Sequence, residues 1–192
     1  MCIRDRWKPV RKLDYDFSVL TGQGSGKVSL MDEVKPKEIF ETPEGDLVID
    51  FGQNMSALIQ VTATGKKGDV IRLDCFEVLD SKGNVYLDNL RGAKESLQYT
   101  FGEDGTITYR PSFTFMGFRY AKIVSFPGTP EPGNFIAHAI HTNMERTGFL
   151  ETSNPDLNQL AHNILWGLKS NFVDVPTDCP QTVSYTHLTL PT

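Results

Sequence analysis

The chain has 192 residues, of which 39% are hydrophobic and 10% aromatic, so it is long enough to bury a substantial core in one or two domains. Its formal net charge of −5 argues against nucleic acid as a partner, because binding to phosphates requires an excess of basic side chains. No apolar run approaches the roughly 18 residues of a membrane-spanning helix, so we expect no membrane partner.

The first part of the chain predicts no domain of its own. Residues 1–6 show no periodicity, and we expect them, like residues 182–192, to derive from sequencing adapters rather than from the gene. Residues 7–36 predict a connector with brief extended segments. Within it, residues 22–27 are glycine-rich, but Val28 stands where a phosphate-binding loop requires Ser or Thr, so a flexible connector is predicted there.

Residues 37–142 predict a β domain. Apolar and polar residues alternate, and turn signals recur about every eight to fifteen residues. Short strands at this spacing, without intervening helices, predict an antiparallel β-sandwich. We expect separate strands around residues 47–51, 59–61, 71–75, 97–101, 113–120 and 136–142, with a hairpin loop at 102–105.

Several residues of this domain are of types that act as nucleophiles, metal ligands or sugar-binding groups, but their sequence context favours a structural role. Cys75 alternates with polar residues in a predicted strand, which favours a small buried hydrophobe over a nucleophile. His138 and His141 lie three apart in a strand and therefore face opposite sides, so structural histidines are predicted and no shared metal site. No metal or other cofactor is expected. Four aromatics are candidates for a sugar-binding platform, although at this density most are predicted to be core: Phe113, Phe115, Phe118 and Tyr120.

The period changes to that of a helix after residue 150. Ser153 or Asn154 offers an N-cap, and Pro155 suits the first helical position. An apolar face follows at helical spacing, formed by Leu157, Leu160, Ala161, Ile164, Leu165 and Leu168. We expect this face to lack a partner helix within the chain.

The segment Val175-Pro176-Thr177-Asp178-Cys179-Pro180-Gln181 holds the strongest candidate for a site residue. Its two prolines fix Asp178 in a stiff, non-helical turn just after the helix. From these residues alone, a solvated aspartate in a helix-ending loop is the simpler interpretation. Asp174 is also expected to be solvated, because Pro176 prevents a helix face shared with Asp178. Cys179 has no neighbouring base that would favour a thiolate.

Six segments, in this order, resemble bacterial α-L-rhamnosidases. They are Asp50-Phe51-Gly52-Gln53-Asn54-Met55, Glu77-Val78-Leu79-Asp80, Asn89-Leu90-Arg91, Tyr109-Arg110-Pro111 with the aromatic run to Tyr120, Ser153-Asn154-Pro155-Asp156-Leu157-Asn158, and the segment around Asp178. The resemblance covers about residues 7–181. It implies a concanavalin-like β-sandwich, here residues 37–142, followed at 143–181 by the first helix of a truncated (α/α) barrel with a catalytic role.

The resemblance also implies an activity. Family members hydrolyse terminal, non-reducing α-L-rhamnose from glycosides or polysaccharides, and the expected chemistry is inverting hydrolysis with two carboxyl groups. Asp178 matches the aspartate that binds the sugar hydroxyls. The general acid is expected soon after Gln181, where Thr182-Val183-Ser184-Tyr185 stands instead. Neither the general acid nor the general base is therefore expected in this chain, which should be inactive by itself.

The alternative interpretation is a non-catalytic module. A β-sandwich whose coding sequence truly ends near Gln181 would be a carbohydrate-binding or structural domain. A downstream glutamate and further helical hairpins in the gene favour the enzyme, and a stop codon there favours the module.

Overall fold

A computed structural model describes residues 10–22, 26–177 and 179–180 of the chain. Within these ranges the chain forms an eight-stranded antiparallel sheet, one α-helix and a two-stranded ribbon. The strands of the sheet are β1 (Val28–Val34), β2 (Glu38–Glu41), β3 (Leu47–Gly65), β4 (Val70–Phe76), β5 (Ser96–Thr100), β6 (Gly105–Tyr109), β7 (Met116–Ser125) and β8 (Phe135–Thr142). They are followed by α1 (Pro155–Ser170), β9 (Phe172–Val173) and β10 (Val175–Pro176). The predicted fold class, mainly β with one following helix, is confirmed.

The long strand β3 curls the sheet into two layers. The sheet runs in the order β1, β8, β3, β7, β4, β5, while β2 and β6 also pair with β3. The first part of β3 pairs with β2 and β7, and the last part pairs with β8 and β6. One strand thus belongs to both layers, as expected of a strand that crosses a sandwich at a bulge.

The prediction of separate strands at 47–51 and 59–61 was wrong, because residues 47–65 form one strand. The polar segment between them is a bulge: the register with β7 shifts between Asp50 and Met55, and Gly52 has a φ of 75°. Glycine accepts this left-handed conformation without strain, so the strand bends here without ending.

The predicted hairpin loop at residues 102–105 is also corrected. β5 pairs with β4, whereas β6 pairs with β3, so this loop connects the two layers. The Phe101 amide donates to the Asp69 carbonyl oxygen, and Gly68 donates to the Phe101 carbonyl oxygen. The loop therefore packs on the β3–β4 turn.

The N-terminal edge of the sheet lies within the segment predicted to be a connector. Residues 28–34 form β1, which pairs with β8 from Val28 opposite Thr142 to Val34 opposite Ala137. A bulge between Leu30 and Asp32 interrupts the pairing. Residues 23–25 of the glycine-rich segment lie outside the described residues.

The core fills the space between the layers with side chains from β3, β4, β7 and β8. Cys75 and Phe118 are fully buried, as predicted, and Tyr120 is buried in a neighbouring cluster. Burial raises the pKa of the Cys75 thiol well above its ordinary value, since the thiolate would lose its hydration. Phe115 is half-buried, but Phe113 is 103% exposed and takes no part in the core.

Helix α1 begins as the sequence predicts. Asn154 is the N-cap, with its side-chain oxygen accepting from the Asp156 amide at 2.9 Å, and Pro155 is the first helical residue. The apolar face is largely uncovered by the described residues: the exposed fractions are 48% for Leu157, 53% for Leu160, 64% for Ile164 and 51% for Leu168. The helix contacts the sheet mainly through its C-terminal part.

Candidate functional site

Helix α1 ends in a tight turn that leads to Asp178. β9 pairs with β10 around Asp174, an exposed residue in the left-handed region with φ of 71°. The Thr177 amide donates to the Asn171 carbonyl oxygen 2.7 Å away and closes the turn. Asp178, the predicted substrate-binding residue, lies outside the described residues, which reach Thr177 and resume at Cys179.

Two hydroxyl groups of the sandwich contact this end of the helix. The Ser56 hydroxyl on β3 donates to the Ser170 carbonyl oxygen at 2.7 Å, and both residues are buried. The Thr142 hydroxyl on β8 accepts from the Asp174 amide at 2.9 Å. The segment 170–174 is therefore hydrogen-bonded to the sheet at its first and last residues.

The last turn of α1 also packs on the sheet. Lys169 Nζ donates to Asp32 Oδ2 at 2.7 Å and lies 4.6 Å from the centre of the Trp166 ring. The Trp166 side chain packs against the core. Charge pairing, a cation–π contact and apolar burial thus hold the C-terminal end of the helix on the sandwich.

The sandwich also contains a cluster of polar side chains, which we call the Glu77 cluster. It is formed by Asn54, Glu77, Asn89 and Glu95. Both carboxylate oxygens of Glu77 accept hydrogen bonds, one from the Asn54 amide at 2.9 Å and one from the Asn89 amide at 3.2 Å. These bonds join the bulge of β3 to the segments that follow β4 and precede β5. Three of the six segments that carry the family resemblance therefore meet at Glu77.

Glu95 is the most enclosed carboxyl group of the Glu77 cluster. It is 7% exposed, and its Oε2 accepts from the Gly117 amide at 3.2 Å. Burial, helped by the charge of Glu77, raises the pKa of Glu95 to about 7, although the bond from Gly117 works in the opposite direction. With so little exposure, the carboxyl group is poorly placed to reach a sugar in solvent.

The Glu77 cluster and the end of α1 are connected through one pair of residues. Gly117 on β7 lies opposite Ser56 on β3, so the residue that contacts Glu95 is the direct neighbour of the residue that contacts Ser170. The Glu77 cluster and the end of α1 are therefore linked through two residues that are cross-strand neighbours.

The bulge of β3 is fixed by an ion pair. Arg119 binds Asp50 through two hydrogen bonds of 2.9 and 2.8 Å, and the Gly52 amide donates to Asp50 at 2.6 Å. Burial of Asp50 opposes its ionisation, but these hydrogen bonds and the Arg119 charge outweigh burial and hold the pKa of Asp50 below its ordinary value. We assign this pair a structural role, because it binds strand backbone.

A groove of about 830 Å³ separates α1 from the segment that enters it. Its walls are mostly apolar and include Met31, Met144, Phe149, Leu150, Ile164, Leu165 and Leu168. Asp32, His141 and Lys169 lie at one side.

The two strand histidines have separate surroundings. His138 Nδ1 lies 3.8 Å from Glu33, and His141 Nε2 lies 3.7 Å from Asp32. Asp32 and Glu33 are successive residues of β1 and face opposite sides, so the histidines do as well. Burial and the nearby Arg110 lower the pKa of His138, although Glu33 acts in the opposite direction. Both histidines are buried, but the Nε2 atom of each makes no hydrogen bond to the described residues.

The described part of the chain contains no group of three or more His, Cys, Asp or Glu side chains arranged to hold a metal ion. Its one α-helix is neither long nor apolar enough to cross a membrane.

The domain model described as the bacterial α-L-rhamnosidase concanavalin-like domain matches residues 40–141, more than half of the chain. The chain belongs to the bacterial α-L-rhamnosidase family. A second model, the bacterial α-L-rhamnosidase six-hairpin glycosidase domain, matches residues 145–187. The two matches follow each other in the order that the sequence resemblance implies.

Curated relatives agree with this assignment. The chain is 38% identical over 175 residues to an α-L-rhamnosidase of Streptomyces avermitilis, covering 91% of the chain and 17% of the relative. It is 37% identical over 155 residues to one from Formosa agariphila, covering 77% of the chain and 17% of that relative. The chain therefore spans less than a fifth of the length of either relative.

Solved structures of family members share the fold. The crystal structure of the S. avermitilis α-L-rhamnosidase complexed with L-rhamnose superposes with a TM-score of 0.79 at 38% identity, over 84% of this chain and 16% of that one. The α-L-rhamnosidase of Aspergillus terreus superposes with a TM-score of 0.78 at 39% identity, over 81% and 18% of the respective chains.

The sequence did not identify Ser56, Thr142 or Glu95 as residues of this site. Glu77 and Asn89 stood in segments typical of the family, but nothing in their spacing predicts that they meet. The available signal was polarity: the side chains of Ser56, Glu77, Glu95 and Thr142 interrupt or border apolar strands, whereas Asn89 lies in a short 3-10 turn between strands.

Proposed function

We propose that this chain is a segment of a glycoside hydrolase that removes terminal, non-reducing α-L-rhamnose from rhamnose-containing glycosides or polysaccharides. The observation that carries the proposal is the pair of family matches, a concanavalin-like domain at 40–141 and a glycosidase domain at 145–187. As part of the proposal, residues 37–142 are the sandwich domain, and residues 143–181 begin the catalytic barrel.

The proposed mechanism is inverting hydrolysis. One carboxylic acid protonates the glycosidic oxygen while a carboxylate, roughly 6.5–9.5 Å away, activates water on the opposite face of the sugar. In this scheme Asp178 accepts hydrogen bonds from rhamnose hydroxyls, which are charge-assisted and therefore strong. A role in binding fits the position of Asp178 directly after a turn that the sandwich holds.

The proposal includes inactivity of the 192-residue chain itself. Residues 179–192 contain no Asp or Glu, so no carboxylic acid follows Asp178 to donate the proton. The test is an assay with an aryl α-L-rhamnoside, using the full-length S. avermitilis relative as the positive control. We expect the purified chain to show no hydrolysis above background. Turnover by the chain would place the proton donor elsewhere.

A second candidate function is sugar binding by the sandwich alone, which Phe113 favours. A fully exposed aromatic ring offers the flat apolar surface that stacks on sugar rings. Titration of the chain with L-rhamnose, followed by NMR, tests this function. Shifts that disappear in Phe113→Ala would support the binding module, whereas a spectrum unchanged by rhamnose would reject it.

A further inference from the structure

We propose that His141, Asp32 and Lys169 form a pH-sensitive clamp, in which a proton on His141 tightens the hold of the sandwich on the C-terminal end of α1. The three residues lie on β8, β1 and α1 and meet at one atom, Asp32 Oδ2. Nε2 of His141 lies 3.7 Å from this atom, and Lys169 Nζ lies 2.7 Å from it. The clamp does not depend on the proposed function. Its consequence for the enzyme does, because the proposed function makes α1 the start of the catalytic barrel.

The bulge of β1 places Asp32 on the same face as His141. Ser29 pairs with His141, so in continuous register Met31 would lie opposite Ala139. The bulge shifts the register by one residue, and Asp32 lies opposite Ala139 instead. Residues two apart in a strand share a face, so Asp32 lies on the face that carries both Ala139 and His141. The irregularity of the edge strand thus puts a carboxylate beside the histidine where an apolar side chain would otherwise lie.

The position of the hydrogen on the neutral ring of His141 follows from one contact. Nδ1 lies 2.8 Å from the carbonyl oxygen of Thr142, and because a carbonyl oxygen can only accept, Nδ1 is the donor. Nε2 is then an acceptor in the neutral ring. It is buried, makes no hydrogen bond to the described residues, and faces the carboxylate of Asp32. Two acceptors that face each other without a donor destabilise the junction, and a proton on Nε2 supplies that donor.

Protonation of Nε2 gives Asp32 a second cationic donor. A carboxylate has about four acceptor positions, so it can accept from Nε2 and still accept from Lys169. The new hydrogen bond is charge-assisted and restrains the Asp32 side chain, which is 38% exposed. Because Lys169 lies in the last turn of α1, a restrained Asp32 holds the end of the helix more firmly. Repulsion between the two cations opposes this effect, but the carboxylate between them attracts both.

Histidine is the side-chain type that ordinarily changes its charge between about pH 5 and pH 8, so the clamp should respond in this range. The charged groups on the elements around His141 are Lys27 before β1, Asp32 on β1, Glu145 and Arg146 after β8, Lys169 on α1 and Asp174 after β9. A second group elsewhere in the sandwich titrates in the same range, because burial raises the pKa of Glu95 to about 7. The experiment therefore has to separate His141 from Glu95.

His138 provides a matched control. It lies on the same strand, is 6% exposed against 5% for His141, and its Nε2 also makes no hydrogen bond to the described residues. Its neighbouring carboxylate is that of Glu33, 3.8 Å away on the opposite face of the strand pair from Asp32. Glutamine at either histidine keeps a polar side chain but has no proton to gain. The two substitutions therefore have a similar structural cost.

The first experiment measures amide exchange by NMR in the 192-residue chain and needs no enzymatic activity. Every variant also carries Glu95→Gln, which removes the second titrating group. We expect the protection factors of Leu168 and Lys169, relative to those of core amides of β3, to be about fivefold or more higher at about pH 5.5 than at about pH 8. Core amides of β3 that stay protected show that a variant is folded.

The variants test which residues carry this pH dependence. His141→Gln and Asp32→Asn should each abolish it, and His138→Gln should keep it. If the relative protection of α1 does not change with pH, or if it falls in acid because His141 and Lys169 repel each other, the clamp is wrong. Loss of the pH dependence in His138→Gln as well as in His141→Gln would also contradict the clamp, because His138 faces away from Asp32.

The second experiment follows the ring nitrogens of His141 by NMR over the same pH range. The neutral ring should carry its hydrogen on Nδ1, and the added proton should appear on Nε2 with the same midpoint as the change in protection of α1. A neutral ring with its hydrogen on Nε2, or a change in protection where His141 does not titrate, would overturn the inference. Neither measurement involves rhamnose or catalysis, so failure of the clamp and failure of the proposed function can be told apart.

Discussion

Glu95 couples the stability of the sandwich to pH. Its folded-state pKa of about 7 exceeds the ordinary value of 4.5, because the buried carboxyl group binds its proton more tightly than an exposed one. The folded chain therefore holds a proton that the unfolded chain releases between these two pH values. The contribution of Glu95 to stability is complete below about pH 4.5 and is lost as the pH rises through about 7.

A glutamine at position 95 should remove this pH dependence. Glu95→Gln keeps an oxygen that can accept from the Gly117 amide and has no proton to lose. The free energy of unfolding of the wild-type chain should fall between about pH 5 and about pH 8 by about 1–3 kcal/mol more than that of the variant. Urea denaturation across this range measures both curves. Parallel curves would show that Glu95 titrates normally.

Truncation of two phenylalanines five positions apart should change the stability of the chain by very different amounts. Phe118 is 0% exposed and contacts Phe51 edge to face, whereas Phe113 is entirely exposed. We expect Phe118→Ala to cost about 3–5 kcal/mol of unfolding free energy and Phe113→Ala to stay within about 0.5 kcal/mol. Thermal denaturation of the two variants under identical conditions decides the matter. A large loss in Phe113→Ala would mean that its ring is buried in solution.

For single residues, the sequence predicted which side chains are buried better than it predicted which polar groups form hydrogen bonds. The buried state of Cys75 and Phe118 follows from alternation, because one face of each strand is covered. The bond between Thr142 and Asp174 depends on where a later turn lies relative to β8, and local pattern carries no such information. Asp178 was found through family resemblance, and its role stays a prediction.

At the scale of secondary-structure elements, the sequence predicted the features that depend on neighbouring residues and missed those that depend on distant strands. The start of α1 was predictable because Asn154 and Pro155 act within one turn of the helix. The pairing of β5 with β4 and of β6 with β3 was not predictable from the sequence. The glycine-rich loop at 102–105 indicates only that the chain reverses there, and not which strands pair. The continuity of β3 was missed for a related reason: Gly52 signals a break, but in a bulge the strand continues beyond it.

The uncovered face of α1 should cause the 192-residue chain to associate. Leu160 and Ile164 lie one helical turn apart and are both more than half exposed. We expect Leu160→Gln with Ile164→Gln to shift the chain toward monomer in sedimentation experiments at micromolar concentration. The control pair is Gln159→Ala with Asn163→Ala, which has the same spacing on a polar face of the same helix. A wild-type chain that is monomeric under these conditions would contradict the prediction.

On the scale of the whole molecule, the described chain has one core and one appended helix. The buried residues of the main core all lie between Ile49 and Ala139, and α1 adds only Trp166, which is partly buried. The helix is otherwise held by polar contacts to Asp32 and Ser56 at its C-terminal end. The sandwich therefore contains nearly everything that stabilises it, whereas α1 depends on the sandwich.

A chain that ends at Asn143 should still fold. It keeps every strand of the large sheet and the bond from the Asn143 amide to the Lys27 carbonyl oxygen. It loses the packing of Trp166 and an ion pair at Asp32, which together contribute about 1–3 kcal/mol. We expect a single cooperative thermal transition, with Tm lower by a few degrees and near-UV circular dichroism that still shows packed aromatic side chains. A broad transition, or loss of the near-UV signal, would show that α1 is required for the sandwich to form.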